Sequence, residues 1–292
     1  MKRILLFVAT NFAIMIMLSI VLSLLGVTGY ITADGLNYAA LMVFSLVWGF
    51  GGAIISLLMS RWMAKMAMGV QVIDGRSGHA ELDWLYQTVQ RLTQKANLPM
   101  PEVGIYESAE VNAFATGASK RSSLVAVSSG LMRSMRREEV EGVLAHEVSH
   151  IQNGDMVTMT MIQGVVNAFS IFFSRVIANV IRQLVDERIS GLVFFVATIV
   201  FDIVFSILGM FVVAWFSRAR EFRADAGAAK LSSRGNMIAA LQRLAANKGL
   251  VDESQPQLAT MKISGARGWM ALMSTHPPLE QRIAALQQPT VR

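Results

Sequence analysis

The chain has 292 residues, of which 53% are hydrophobic and only 16% charged, and its mean hydropathy of +0.47 excludes an ordinary soluble globular protein. It has no cysteine, which excludes disulfides and thiolate metal ligands. Its net charge of +6 comes from Lys and Arg beside apolar segments, without a long basic run, which favours membrane orientation over nucleic-acid binding. The composition therefore predicts an integral membrane protein.

Two uncharged segments near the N-terminus are each long enough to cross a bilayer as a helix, Ile4 to Leu25 and Tyr38 to Ser60. Basic residues precede the first segment and follow the second, beginning at Arg61, and none lies in the connection between the two. This asymmetry predicts that the N-terminus and the chain after Arg61 face the cytoplasm. We expect residues 1–66 to form a membrane anchor of two transmembrane helices.

Residues 67–155 have a mixed polar and apolar composition, which predicts the first part of a cytoplasmic domain. We expect Ser77 to cap an amphipathic helix, followed by short strands at Glu102 to Glu107 and Ser123 to Ser128. These strands are predicted to form a small sheet that packs against the last helix of this part, for which Ser134 is the expected cap.

That last helix carries a His-Glu-x-x-His motif at positions 146–150. On a helix, His146 and His150 lie on one face and can bind the same zinc ion. Glu147 lies about 100° round the helix from His146, so it is better placed to take a proton from a water than to bind the metal. The motif predicts a zinc peptidase.

Residues 156–217 contain two further apolar stretches, Met156 to Ile181 and Gly191 to Ser217, joined by a short polar link. They predict a second membrane helical hairpin, which gives four apolar helices in all. Arg175 and Asp202 lie at similar depth in this hairpin, so an ion pair is one hypothesis, and snorkelling with separate water contacts is the alternative.

The hairpin brings the chain back beside the zinc helix, where Glu221 is the next carboxylate. Glu221 is therefore the expected third zinc ligand, and Asp225, on the same helical face, is expected to orient a ligand histidine. The alternative for both acids is an exposed acidic face or salt bridges to Arg218 and Arg220.

Residues 218–292 are predicted to form the second part of the cytoplasmic domain. Met237 to Ala246 has the pattern of an amphipathic helix, and Asn247 to Gly268 is expected to be a mobile connection. In the last segment, His276 is expected to donate to the substrate oxygen in the transition state, while Arg282 braces the site or contacts substrate. The alternative is that His276 caps the terminal helix and Arg282 packs on the surface.

The motifs follow one another in a specific order, and with the four apolar segments they resemble the HtpX family of bacterial membrane zinc metallopeptidases. The motifs are Asn112-Ala113-Phe114-Ala115, His146 to His150, Glu221 to Asp225 and Thr275 to Pro278. The resemblance implies a gluzincin-like α+β zincin domain facing the cytoplasm, with one Zn²⁺ per subunit held by His146, His150 and Glu221 and with Glu147 as acid/base. It also implies quality control of damaged or misassembled proteins in the bacterial inner membrane, often under stress.

The segment Asn112 to Thr116 is further expected to be a substrate-facing edge strand, with Asn112 to Ala115 binding the substrate, because proteases of this type hold an extended substrate by adding it to a sheet edge. The short residues on either side of Phe114 permit a close backbone approach. The alternative is an ordinary loop with one buried phenylalanine.

Three functions are compatible with these features. The first is a zinc endopeptidase that acts on membrane-protein or unfolded polypeptide substrates in the lipid bilayer. The second is a selective processing peptidase related to prenyl-protein proteases, although four spans do not readily build the chamber of those enzymes. The third is a non-catalytic metal-binding scaffold or transporter, against which Glu147 argues. The sequence does not indicate an oligomeric state.

Overall fold

The computed structural model describes residues 2–27, 29–32, 35–254 and 274–288, with side chains described for 12–27, 29–32, 35–246 and 274–288. The chain forms two compact units. The first unit comprises Met1–Leu57 and Thr158–Val213, and the second comprises Leu58–Val157 and Ala214–Arg292.

Helices account for most of the described residues. They are α1 (Lys2–Leu24), α2 (Tyr38–Met68), α3 (Ala80–Lys95), α4 (Ser129–Ser134), α5 (Arg137–Asn153), α6 (Asp155–Arg182), α7 (Glu187–Leu231), α8 (Arg234–Ser254) and α9 (Leu279–Gln287). The strands are β1 (Ile31–Thr32), β2 (Gly35–Leu36), β3 (Gln71–Ile73), β4 (Glu102–Tyr106), β5 (Ala113–Ser119) and β6 (Ser122–Ser128).

Three helices among the described residues, α2, α6 and α7, are long and apolar enough to cross a membrane. The part of α1 whose side chains are described, Phe12–Leu24, is an apolar helix that is shorter than these three. Three of the four expected spans are therefore supported, and the span at the N-terminus stays a prediction. Helix α7 continues without a break through position 217, so one helix contains both the last apolar stretch and Glu221.

Within the first unit, the expected Arg175–Asp202 ion pair is present. The Nη1 atom of Arg175 lies 3.0 and 3.2 Å from the two carboxylate oxygens of Asp202, and the hydroxyl of Ser174 donates to the same carboxylate. The alternative of separate snorkelling is therefore wrong. Helix α2 packs closely at Gly49, where an added Cβ would lie 2.5 Å from the backbone nitrogen of Ala168.

The second unit contains a four-stranded sheet with the order β3-β4-β6-β5. Strands β4 and β6 are parallel, while the β3–β4 and β5–β6 pairs are antiparallel. Apolar residues of α3, α5 and α8 share one core with the inward face of this sheet, including Leu85, Val125, Leu144 and Leu241, which are fully buried. The predicted packing of a small sheet against the motif helix is confirmed, although β3 and the part of β5 after Thr116 were not predicted as strands.

Two predicted helix caps are wrong. His79 rather than Ser77 occupies the N-cap position of α3, and the backbone N–H and hydroxyl of Ser77 both donate to Asp83. Ser134 ends the short helix α4 instead of starting α5. The N-cap of α5 is Arg136, whose backbone N–H donates to the carboxylate of Glu139 over 2.8 Å. This contact uses an acid in the first helical turn as the acceptor, and it forms in place of a cap by the nearby serine.

The expected connection after Ala246 is wrong in its first part, because the backbone of α8 stays helical to Ser254. Its remainder, with the start of the terminal segment at Trp269, lies outside the described residues.

We expect the separate changes Arg175→Asp and Asp202→Arg to destabilise the protein, because each leaves like charges facing each other in an apolar setting. Each loss of a charged hydrogen bond is expected to cost on the order of 1.5–3 kcal/mol. The double exchange should recover part of this loss. Thermal unfolding in detergent measures the effect, and equal instability of the two single variants and the double variant would show that the pair does not stabilise the fold.

Candidate metal centre

The site is assembled from residues of the second unit that lie on three helices. Helix α5 contributes His146, Glu147 and His150, α7 contributes Glu221 and Asp225, and α9 contributes Arg282. A glycine allows α7 to approach α5 closely, because a Cβ added at Gly227 would collide with the hydroxyl of Ser149. The sequence prediction that the chain returns to the motif helix at Glu221 is therefore confirmed.

Two imidazoles and one carboxylate converge in the arrangement expected of a metal site. The Nε2 atoms of His146 and His150 are 3.0 Å apart, and they lie 3.5 and 3.3 Å from the two carboxylate oxygens of Glu221. Two tetrahedral ligands at ~2.0–2.1 Å from a zinc ion are themselves about 3.3 Å apart, so this spacing fits.

The environment of Glu221 supports the same conclusion. Its side chain is only 1% exposed, and its Oε1 atom accepts no hydrogen bond from the described residues. A buried carboxylate oxygen without a donor is costly, and a cation between it and the two imidazoles would satisfy it. The residues present therefore fit a divalent metal ion.

A second carboxylate holds each ligand histidine. The Nδ1 atom of His146 is 2.9 Å from Asp225, and that of His150 is 2.7 Å from Asp155. Each contact leaves the Nε2 atom directed at Glu221 and fixes the ring orientation, as outer carboxylates do in metal sites. Asp225 was predicted for this position, whereas Asp155 was missed.

Asp155 is the first residue of α6 and lies five residues beyond His150. Its side chain is 1% exposed, and its other oxygen accepts a bond from Arg223 over 2.9 Å. A signal was available in the sequence, because an acid shortly after the motif helix can turn back to its last histidine. The chain reversal at Gly154, in the left-handed conformation, makes this contact geometrically feasible.

The surrounding charges shift the pKa values of the ligands. Burial opposes protonation of His150, but its contacts with Asp155 and Glu221 outweigh burial and raise its pKa to about 9. Burial also opposes ionisation of Glu221, yet the nearby imidazoles hold its pKa well below the usual range. A metal ion therefore competes with a proton at His150 while Glu221 stays ionised.

Arg282 braces the site from inside. Its side chain is 7% exposed, and its Nε and Nη2 atoms donate to the two oxygens of Asp225 over 2.7 and 2.6 Å. Its Nη1 atom also lies 3.3 Å from Glu221. Of the roles considered for this residue, bracing is the one that these contacts support, and packing on the surface is wrong.

His276 also reaches the site, with its Nδ1 atom 3.1 Å from Glu221 and its side chain 62% exposed. It does not cap α9, because Pro278 occupies the N-cap position. Its ring borders a cavity of about 140 Å³ that is also lined by Glu147, Asn112 and Ala113.

The predicted substrate segment is divided between two faces of the sheet. Asn112 and Ala113 line the cavity, but the ring of Phe114 lies 5.8 Å from that of Tyr106 in a second apolar cluster. Ala115 packs against the main core and does not line the cavity. Strand β5 is an edge strand in the described sheet, as predicted, whereas the ordinary-loop alternative is wrong.

Comparisons with known proteins agree with this geometry. The model of Peptidase family M48 matches residues 79–290. The Protease HtpX homolog of Thiobacillus denitrificans is 52% identical, with 98% of this chain and 99% of the relative covered. Protease HtpX of Tolumonas auensis is 51% identical, with 99% of each covered. The chain belongs to peptidase family M48 and, within it, to the HtpX proteases.

Membership in the M48 family makes this chain a membrane protease of a metallopeptidase family, and His146, His150 and Glu221 form a cluster that could hold the metal ion. The fold agrees, since the crystal structure of S. mikatae Ste24p matches with a TM-score of 0.65 at 17% identity. That match covers 98% of this chain, which spans only 65% of the length of the Ste24p chain.

We expect Asp155→Asn to weaken metal binding in this M48 protease by about 10–100-fold, because an amide is a poorer acceptor for the Nδ1–H of His150. Chelator competition on the purified protein measures the affinity, and thermal unfolding shows whether the fold is kept. Arg223→Gln is the matched control, since Arg223 is 58% exposed and contacts the oxygen of Asp155 that does not face His150. If the variant bound the metal as tightly as the parent, Asp155 would have a role at the start of α6 and none in positioning His150.

Proposed function

We propose that this M48 protease is a zinc-dependent endopeptidase of the bacterial inner membrane. Its proposed substrates are damaged or misassembled membrane proteins and unfolded polypeptides, and its proposed role is protein quality control under stress. The observation that carries the proposal is the convergence of His146, His150 and Glu221 beside a cavity that also contains Glu147.

Zinc is the proposed metal because two imidazoles with one carboxylate, and no thiolate in the chain, form a common catalytic zinc ligand set. When bound by these residues, the ion would act as a Lewis acid that makes a water more acidic and polarises the scissile carbonyl. Metal analysis of the purified protein tests its identity, since other divalent ions accept the same ligands.

The protein's own groups account for the proton transfers. Glu147 borders the cavity, so its carboxylate can accept the proton of the attacking water and later donate it to the nitrogen of the leaving amine. The exposed imidazole of His276 is placed to donate a hydrogen bond to the carbonyl oxygen, on which negative charge develops. Arg282 and Asp225 keep His146 and Glu221 in position during these steps.

The β5 edge is the proposed binding site for the substrate backbone. The carbonyl of Asn112 accepts a bond from the backbone N–H of Ser128 over 2.9 Å, so Asn112 faces β6. Because pairing alternates along an antiparallel strand, the backbone N–H groups of Ala113 and Ala115 face the other way, toward the sheet edge. An extended peptide could bind there as a further strand.

We also propose that the second unit and both termini face the cytoplasm. Support comes from the basic residues that flank the first two apolar segments and from their absence in the connection between them. On this basis, residues 67–155 and 218–292 together form the catalytic domain, while residues 1–66 and 156–217 contact the lipid bilayer.

Glu147→Gln should retain the metal but lose hydrolysis by about 10²–10⁴-fold, because an amide cannot take the proton of the water. Metal content and cleavage of a denatured protein in detergent are measured together. The matched variants His146→Ala, His150→Ala and Glu221→Ala should instead lose metal and activity together. A Glu221→Ala protein that binds zinc as tightly as the parent would disprove the ligand assignment.

Ala113→Pro and Ala115→Pro should each impair cleavage without unfolding the domain, since proline removes only an N–H that faces the edge. We expect a loss of about 0.5–1.5 kcal/mol in substrate binding, seen as a higher KM. Phe114→Pro is the contrasting variant. The N–H of Phe114 faces β6, so the loss of this N–H should lower the unfolding temperature. Parent-like KM values for both alanine variants would remove the edge-strand role.

A further inference from the structure

The cavity beside Glu147 has an apolar wall that the proposed reaction does not use. The polar groups at the cavity come mainly from the metal site, whereas the wall consists of Leu131, Val143, Met237, Leu241 and Leu244. Three of these residues, Met237, Leu241 and Leu244, are spaced as one face of α8. Helix α8 therefore contributes a continuous apolar surface to the catalytic cavity.

This wall is held firmly against the motif helix. Helix α8 packs on α5 at Gly142, where an added Cβ would lie 2.5 Å from the backbone oxygen of Asn236. Val143 is next to this contact and lies one helical turn before His146. The apolar wall and the metal ligand thus have a fixed relative position within the second unit.

The size and polarity of the cavity define what it can hold. Its volume of about 140 Å³ is close to the ~150 Å³ of an apolar protein cavity that binds benzene. A charged side chain placed against this wall would lose hydration, and none of the five wall residues offers a compensating partner. Arg282 does not offer one, since its guanidinium is already bound to Asp225.

We propose that α8 sets the substrate specificity, by selecting a large apolar side chain such as Leu, Met or Phe next to the scissile bond. This inference rests on the proposed endopeptidase function and specifies its substrate class. Large apolar side chains are mostly buried in folded proteins. A protease that needs such a side chain, in an extended segment, would therefore act on chains that have lost or never reached their fold.

The test is a cleavage profile of the full-length protein, purified in detergent with saturating zinc. A peptide library made from a denatured proteome is digested, and the cut sites are identified by mass spectrometry. We expect Leu, Met and Phe to be enriched at one position flanking the cut. For matched peptides, kcat/KM should be about 10-fold or more higher with Leu than with Ala at that position.

Two variants of one wall residue should shift this preference in opposite directions. Leu244 is only half-buried, so it can be changed with little effect on the fold. Leu244→Phe should reduce the Leu-to-Ala ratio by about 10-fold, while Leu244→Ala should move the preference toward Phe and Trp. Ile238→Ala is the matched control, because Ile238 lies on α8 and packs against the core but does not line the cavity.

The outcomes separate this inference from the proposed function. Cleavage without apolar enrichment would overturn the specificity and leave the endopeptidase intact. Apolar enrichment that both Leu244 variants leave unchanged would overturn the assignment to α8. No cleavage by the zinc-loaded parent would overturn the endopeptidase function, and the specificity with it.

Discussion

The burial of the Glu221 carboxylate is the constraint on which the rest of the site depends. An ionised carboxylate removed from water is costly unless charges and donors surround it. Here the two imidazoles of the motif helix, the guanidinium of Arg282 and the ring of His276 all approach it within 3.5 Å. The position of α7 and the start of α9 are therefore linked to one side chain, although α5, α7 and α9 are far apart in sequence.

The carboxylates of Asp225 and Asp155 each contact one of the two histidines, and they lie on different helices. Asp225 lies on α7, two residues before Gly227, whereas Asp155 is the first residue of α6. Asp155 lies at the N-terminus of α6, where the helix dipole favours a negative charge, and its carboxylate contacts His150. Both α6 and α7 also contain apolar segments long enough to cross a membrane. Each of the two histidines is thus held by a carboxylate on a helix that continues into a candidate membrane span.

How much the sequence could predict depended on the range of the interactions. The spacing of His146 and His150 within one helix is a local property, so periodicity alone predicted their shared face. Asp155 was missed because its contact depends on the turn at Gly154 and on the start of a new helix. For a related reason, the sequence did not show that Phe114 points to the other face of the sheet from its neighbours. The register between β5 and β6 decides which side chains point toward α5.

The helix caps were predicted wrongly for a different reason, which is that two local signals compete. Ser134 and Glu139 both favour a helix start, and the chain uses the acid because Ser134 already closes α4. Sequence patterns place helices well but not their ends, since neighbouring turns compete for the same backbone groups.

The two features proposed to bind substrate impose complementary demands. An edge strand requires a peptide whose own backbone donors and acceptors are free, and such a segment is rare inside a folded protein. An apolar wall requires a side chain that folded proteins keep inside. Ala113 of the edge and Leu244 of the wall line the same cavity, so one bound segment would have to meet both demands. Selectivity against folded proteins can therefore arise from the cleavage site itself, without a separate domain that recognises damage.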